Sequence, residues 1–247
     1  MKVYQTLIIG SGYASIGYAA ACPNTVICEE HQICDTRFYL PLRSFRYRHY
    51  APKTEEGKRL LHIFQSLSLF RDQEQNTNGF EFAFCKYVLE KRLDLLLKCR
   101  MIRTEHRADG LYDVTVQTNE GLTHLFAKNI LDMTNRSGEK SFTVLFVCDE
   151  PEAVREKLLS EFNGAQIESA FYPGRYALHV SADDADENRI KVEIYEKWRQ
   201  LDIDAKILYM APAFSRKGST NPLCDESYEN PIEAFEAGYF YAKEMNR

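Results

Sequence analysis

Residues 3–30, VYQTLIIGSGYASIGYAAACPNTVICEE, constrain the fold more than any other part of the chain. VYQTLII is a run of strand formers, and IGYAAA after the glycines has the alanine content of a helix. Pro23 and Asn24 end that helix, and TVICEE reads as a second buried strand. Strand, glycine turn, helix and strand in this order form a βαβ unit, which lays two parallel strands together with the helix crossing one face.

The glycines bear on what this unit holds. A helix N-terminus binds phosphate because its unpaired N–H groups and its dipole both favour an anion. In such a turn Gly10 makes the tight bend and Gly12 lets phosphate approach the backbone, while the third position of GxGxxG allows close packing. That third position is Ser15, the next smallest choice and a side chain able to donate to phosphate. A plain Gly-rich turn between two ordinary elements would carry the same residues. The second requirement is an acid closing the second strand, where a ribose hydroxyl donates to it. Glu29 and Glu30 occupy that place; their other reading is a solvated strand end. All the features in the right order favour a nucleotide, and an acid there disfavours a 2′-phosphate and so NADP.

Farther along, GKRLLHIFQSLSLF (57–70) places Leu60, Leu61, Phe64, Leu67 and Phe70 on one helical face. FEFAFCKYVLEKRLDLLLKC (80–99) reads as a further helix, followed by a meander of short strands turning at Asp109-Gly110 and Glu120-Gly121. NILDMTN (129–135) closes it as a buried strand. From Phe142 a β/α/β/β/α block runs to about 205, and ENPIEAFEAGYFYAKEM (229–245) is a helix capped by Asn230 with Pro231 in its first turn. Asp183 and Asp184 are expected to cap the helix DENRIKVEIYEKWRQL.

Composition narrows the partners. With 247 residues and a net charge of −5, the chain lacks the basic surface of a general nucleic-acid binder. RFYLPLRSFRYRHY, with Arg37, Arg43, Arg46, Arg48 and His49 among aromatic rings, is the local exception. It reads as a segment facing an anionic cofactor or substrate, as a structural loop with snorkelling arginines, or, least in keeping with the acidic chain, as a single-strand binder. No apolar stretch approaches the roughly 18–20 residues that cross a bilayer, and the N-terminus lacks a signal-peptide pattern, so a cytoplasmic location without membrane partners is expected. The seven cysteines form no CxxC pair or zinc-spaced cluster, so no metal is expected; they read as structural thiols, against a redox pair such as Cys28 with Cys34. No Ser-His-Asp or HExxH pattern is present. Catalytic residues are not assigned, although His49 and His179 are the pocket candidates among the histidines.

LIIGSGYASIGYAAA with VICEE resembles the opening of the FAD-dependent oxidoreductases of the two-dinucleotide-binding-domain superfamily. LTHLFAKNILDMTN resembles their second flavin signature, and ENPIEAFEAGYFYAKEM is similar to their closing helix, with Gly238 where a family glycine often sits. The sequence departs from that pattern at Ser15, at Asn135, at the absent Gly-Gly after the ribose acid, and at a Gly-Asp pair not evident in PAFSRKGSTNPLCDESY. The resemblance implies an α/β fold: a Rossmann-like FAD-binding domain with a three-layer parallel sheet, residues 1–141 plus 206–247, interrupted by a small α/β cap subdomain at 142–205. It implies FAD as cofactor, held by Gly10, Ser11, Gly12, Tyr13, Ala14, Ser15, Glu29, Glu30, Arg37, Arg43, Met101, Thr134, Asn135, Asn230, Pro231 and Ile232. The implied activity is hydride transfer between flavin and a small organic substrate. A chain of this length has no room for a second complete NAD-binding domain, so electrons would come from the substrate or from an electron-transfer protein. The alternative is a degenerate flavoprotein fold acting as a non-catalytic binding or interaction module.

Overall fold

A computed structural model describes residues 2–32, 34, 49–71, 74–134, 139–182, 186–212, 214–217, 221 and 223–246. In chain order the elements are β1 (Val3–Ile9), α1 (Tyr13–Ala21), β2 (Thr25–Cys28), α2 (Glu55–Ser66), β3 (Phe70–Arg71), β4 (Glu74–Gln75), α3 (Phe80–Lys91), β5 (Asp94–Leu96), β6 (Arg100–His106), β7 (Tyr112–Thr118), β8 (Gly121–Asp132), β9 (Glu139–Cys148), α4 (Pro151–Glu161), β10 (Gln166–Ser169), β11 (Arg175–Ser181), α5 (Glu187–Gln200), β12 (Ala205–Met210), β13 (Ser215–Lys217) and α6 (Pro231–Met245).

The first sheet has the order β5-β2-β1-β8-β7-β6. β5, β2, β1 and the end of β8 pair in parallel, and β8, β7 and β6 form the antiparallel meander. β8 is long enough to serve both: Val3 to Ile9 pair with Phe126 to Asp132, while Tyr112 to Thr118 pair back along Ala127 to Gly121. The alternation of β1 explains the three layers. Ile8 and Ile27 face the helices, packing with Tyr13, Leu60, Phe64, Phe84 and Phe235. Leu7 and Val26 face the other way, against Val114, Val116 and Ala127 of the meander. Burial on both faces is why the first strands read as continuous apolar runs.

The second sheet is antiparallel, ordered β10-β11-β9-β12 with β13 also on β9. Phe142, Val144 and Phe146 of β9 pack against Val154 and Leu158 of α4 and Ile190, Ile194 and Trp198 of α5 in a core of their own. β12 begins at Ala205 and β13 follows it, so this sheet extends beyond the block expected to end at about 205.

Local differences from the sequence reading have physical causes. The helix expected over 80–99 ends at Lys91, where Arg92 adopts a left-handed conformation (φ 52°), and Asp94–Leu96 leave it to pair with β2. An apolar DLL run suits a buried strand edge as well as a helix, and only the neighbouring strand decides. α2 ends at Ser66, so Leu67 is its half-exposed cap and Phe70 belongs to β3, stacked on Phe64 at 4.9 Å. α5 is capped by Asp186, which accepts from Asn188 and Arg189 N–H at 2.9 Å each, whereas Asp183 and Asp184 lie outside the described residues. Among the described residues no helix is long and apolar enough to cross a membrane.

Candidate functional site

The first turn of α1 is where the predicted phosphate site falls, and its geometry rests on two backbone features. Gly10 takes φ 92°, which bends the chain out of β1, and its N–H donates to Cys28 O across the strands. Thr134, just past β8, lies over this turn: a Cβ on Gly10 would stand 2.9 Å from Thr134 Cγ2. Thr134 is held there by its N–H and hydroxyl, both donating to Asp132 Oδ1.

The N–H groups of Ser11, Gly12, Tyr13 and Ala14 are each taken by a side chain of the protein itself. Ser11 donates through N–H (2.7 Å) and hydroxyl (2.8 Å) to Glu29. Gly12 N–H donates to Ser15 Oγ at 2.9 Å, and that hydroxyl returns its hydrogen to Gly12 O at 2.7 Å. Ser15 therefore closes the turn instead of offering a donor to phosphate. Tyr13 and Ala14 N–H donate to the two oxygens of Asp225 at 2.5 and 2.8 Å. The Tyr13 side chain faces away, its ring among Phe64, Phe80 and Phe84 and its hydroxyl on Phe80 O.

Asp225 is the residue that sequence reasoning missed. It begins a single 3₁₀ turn, Asp225–Ser227, shortly before α6, and is 2% exposed. Asn221 Nδ2 donates to Asp132 O, and the Cys224 thiol to Met133 O, which fixes the turn beside the end of β8. The one signal for Asp225 in the sequence was an acid six residues before Pro231, at the start of the closing helix.

Glu29 is 2% exposed and also accepts from His31, through N–H at 2.9 Å and ring Nδ1 at 2.6 Å. Burial opposes its charge, but the hydrogen bonds from His31 and Ser11 outweigh it and hold the carboxyl below the usual range. Glu30 points outward to Arg100 at 3.4 Å, so the two adjacent acids have separate roles.

α6 brings its first turn into the same layer. Asn230 Oδ1 accepts from Ile232 N–H at 2.8 Å, and Asn230, Pro231 and Ile232 are buried. The helix lies directly on α1: a Cβ on Gly17 would stand 1.9 Å from Phe235 O, and one on Gly238 the same distance from Ala14 O. The third glycine of the opening segment thus serves helix–helix contact. Met101 is not brought to this site; it is 37% exposed on β6, the far edge of the sheet, with β7 and β8 between it and β1. Arg37, Arg43 and Asn135 lie outside the described residues. His49 is exposed, and His179 sits within the second sheet, its ring nitrogens 3.0 Å from Thr143 Oγ1 and 3.1 Å from Glu168 Oε1.

A pyrophosphate fits this turn in kind. The Asp225 carboxylate acts as its stand-in: a buried anion on the two N–H groups that open α1. Both anions cannot hold those donors together, so a pyrophosphate could take them only with the Asp225 side chain turned away.

No family model and no curated protein matches the sequence. Solved structures share its fold. A geranylgeranyl bacteriochlorophyll reductase-like protein from Thermoplasma acidophilum aligns with TM-score 0.58 at 11% identity, over 98% of this chain and 78% of that one. p-Nitrophenol 4-monooxygenase from Pseudomonas putida aligns with TM-score 0.55 at 11% identity, over 99% and 79%. A flavin-dependent monooxygenase solved with FAD and substrate aligns with TM-score 0.50 at 10% identity, over 87% of this chain and 50% of that one. The chain has the fold of the FAD-dependent oxidoreductases.

Proposed function

We propose that the chain binds FAD at the N-terminus of α1 and acts as an oxidoreductase on a small organic substrate. The observation that carries this reading is the Asp225 carboxylate on the Tyr13 and Ala14 N–H groups, an anion site built at the glycine turn of a flavoprotein fold. Bound FAD would supply the hydride chemistry. The chain's own residues would bind and orient it: the Tyr13 and Ala14 N–H groups at the pyrophosphate, Glu29 at a ribose hydroxyl, Thr134 over the turn, and the start of α6 on the flavin side. Arg37, Arg43 and Asn135 remain further proposed contacts. Electrons would come from the substrate or from an electron-transfer protein.

A second reading, a non-catalytic binding or interaction module of the same fold, is favoured by one observation: Glu29, Ser15 and Asp225 already satisfy the turn's donors. Purification separates the two. Yellow protein that releases FAD on denaturation, or colourless protein that takes up added FAD, supports the first; colourless protein that gains no thermal stability from FAD supports the second.

A further inference from the structure

The sequence offered Cys28 with Cys34 as a redox pair, but the fold separates them into two other pairs. Cys28 lies with Cys99 between sheet and meander, both thiols buried, and the Cys99 hydrogen bond together with burial pushes the Cys28 thiol up. Cys34, on the segment leaving β2, lies against Cys85 of α3 with the sulfurs 3.1 Å apart. A disulfide requires about 2.05 Å, so bonding asks for an approach of about 1 Å. Cys34 is 2% exposed, whereas Cys85 is partly open to solvent. Glu81, one turn earlier on α3, places a carboxylate oxygen within 4.8 Å of both sulfurs.

We propose that Cys34 and Cys85 form a reversible disulfide with a low-molecular-weight disulfide as oxidant, tying the segment after β2 to α3. The accessible Cys85 loses its proton and its thiolate attacks one sulfur of the small disulfide, expelling one small thiolate and leaving a mixed disulfide. The Cys34 thiolate then attacks the Cys85 sulfur and expels the second. The two protein thiols give up two protons and two electrons, and the small disulfide becomes two thiols. Cys34, Cys85 and Glu81 resemble part of a zinc site, but two thiolates on one zinc, with Zn–S near 2.3 Å, stand about 3.8 Å apart, and the observed sulfurs are closer.

The test equilibrates the whole protein in mixtures of reduced and oxidised glutathione, then quenches, alkylates and maps the peptides by mass. The expected result is a Cys34–Cys85 linked peptide that grows as the mixture becomes more oxidising and vanishes with dithiothreitol. Cys34→Ser should halt at a glutathione adduct on Cys85. The wild-type link is read without that variant. Glutathione adducts with no link, linkage of Cys28 to Cys99 instead, or stoichiometric zinc that shields both thiols from alkylation would each overturn the proposal.

Discussion

The Asp225 carboxylate accepts the Ala14 N–H at 2.8 Å, closing the first turn of α1 from a residue 211 positions away in the chain. It contributes what an N-terminal cap contributes, and it does so where a pyrophosphate would bind. Asp225→Ala should therefore cost the ligand-free protein about 1–2 kcal/mol, the range of lost helix caps. FAD should then raise the thermal midpoint of the variant more than that of the wild type, because it no longer displaces an internal anion. A smaller shift in the variant would mean that Asp225 assists the cofactor instead of competing with it.

Glu29 ties the glycine turn to the exit of β2 through four hydrogen bonds. Glu29→Gln keeps the size but turns an amide N–H₂ toward donors, at an expected cost of about 2 kcal/mol in urea unfolding at neutral pH. Because folding lowers this carboxyl's pKa, its contribution is complete above the unfolded value of about 4.3 and is lost as pH falls through the lower native value. The gap between wild type and variant should be full at pH 7 and shrink on acidification below about pH 5. A gap that widens there would contradict the assignment.

Close contact between α1 and α6 leaves no space for a side chain at Gly238, whose Cβ would meet the Ala14 carbonyl at 1.9 Å. Backbone cannot swing aside as a side chain tip does. Gly238→Ala should cost about 3 kcal/mol by forcing the helices apart, measured as a lower midpoint in chemical unfolding. A loss under about 1 kcal/mol would show that the two helices slide freely.

Glu236, 1% exposed on α6, gathers the Tyr50 hydroxyl, the Lys53 and Thr54 N–H groups and the Thr54 hydroxyl. It thereby holds the approach to α2, whose first turn Thr54 caps through Gly57 N–H. Glu236→Ala leaves these donors without their acceptor and should destabilise by about 3 kcal/mol. Hydrogen exchange locates the effect: the Lys53 and Thr54 amides should lose protection before the amides of β1 do. Unchanged exchange at both would refute the latch.

The amino-acid sequence determined the βαβ opening, the meander and the capped closing helix, because these follow from local periodicity, turn residues and caps; the three-layer α/β class came from the resemblance to a known family. It also marked Gly10, Gly12 and Glu29 as parts of one site, since their spacing is set within a single unit. Other features waited on tertiary contact. Asp94–Leu96 became a strand only beside β2, and β12 and β13 joined the second sheet only by pairing with β9. Met101, grouped with the site, was carried to the sheet's far edge by the meander's strand order. Most of all, the anion at the α1 turn is Asp225, brought across the fold by the end of β8. No local pattern encodes that pairing, because a helix N-terminus accepts an anion from anywhere in space and the chain alone does not say which one arrives.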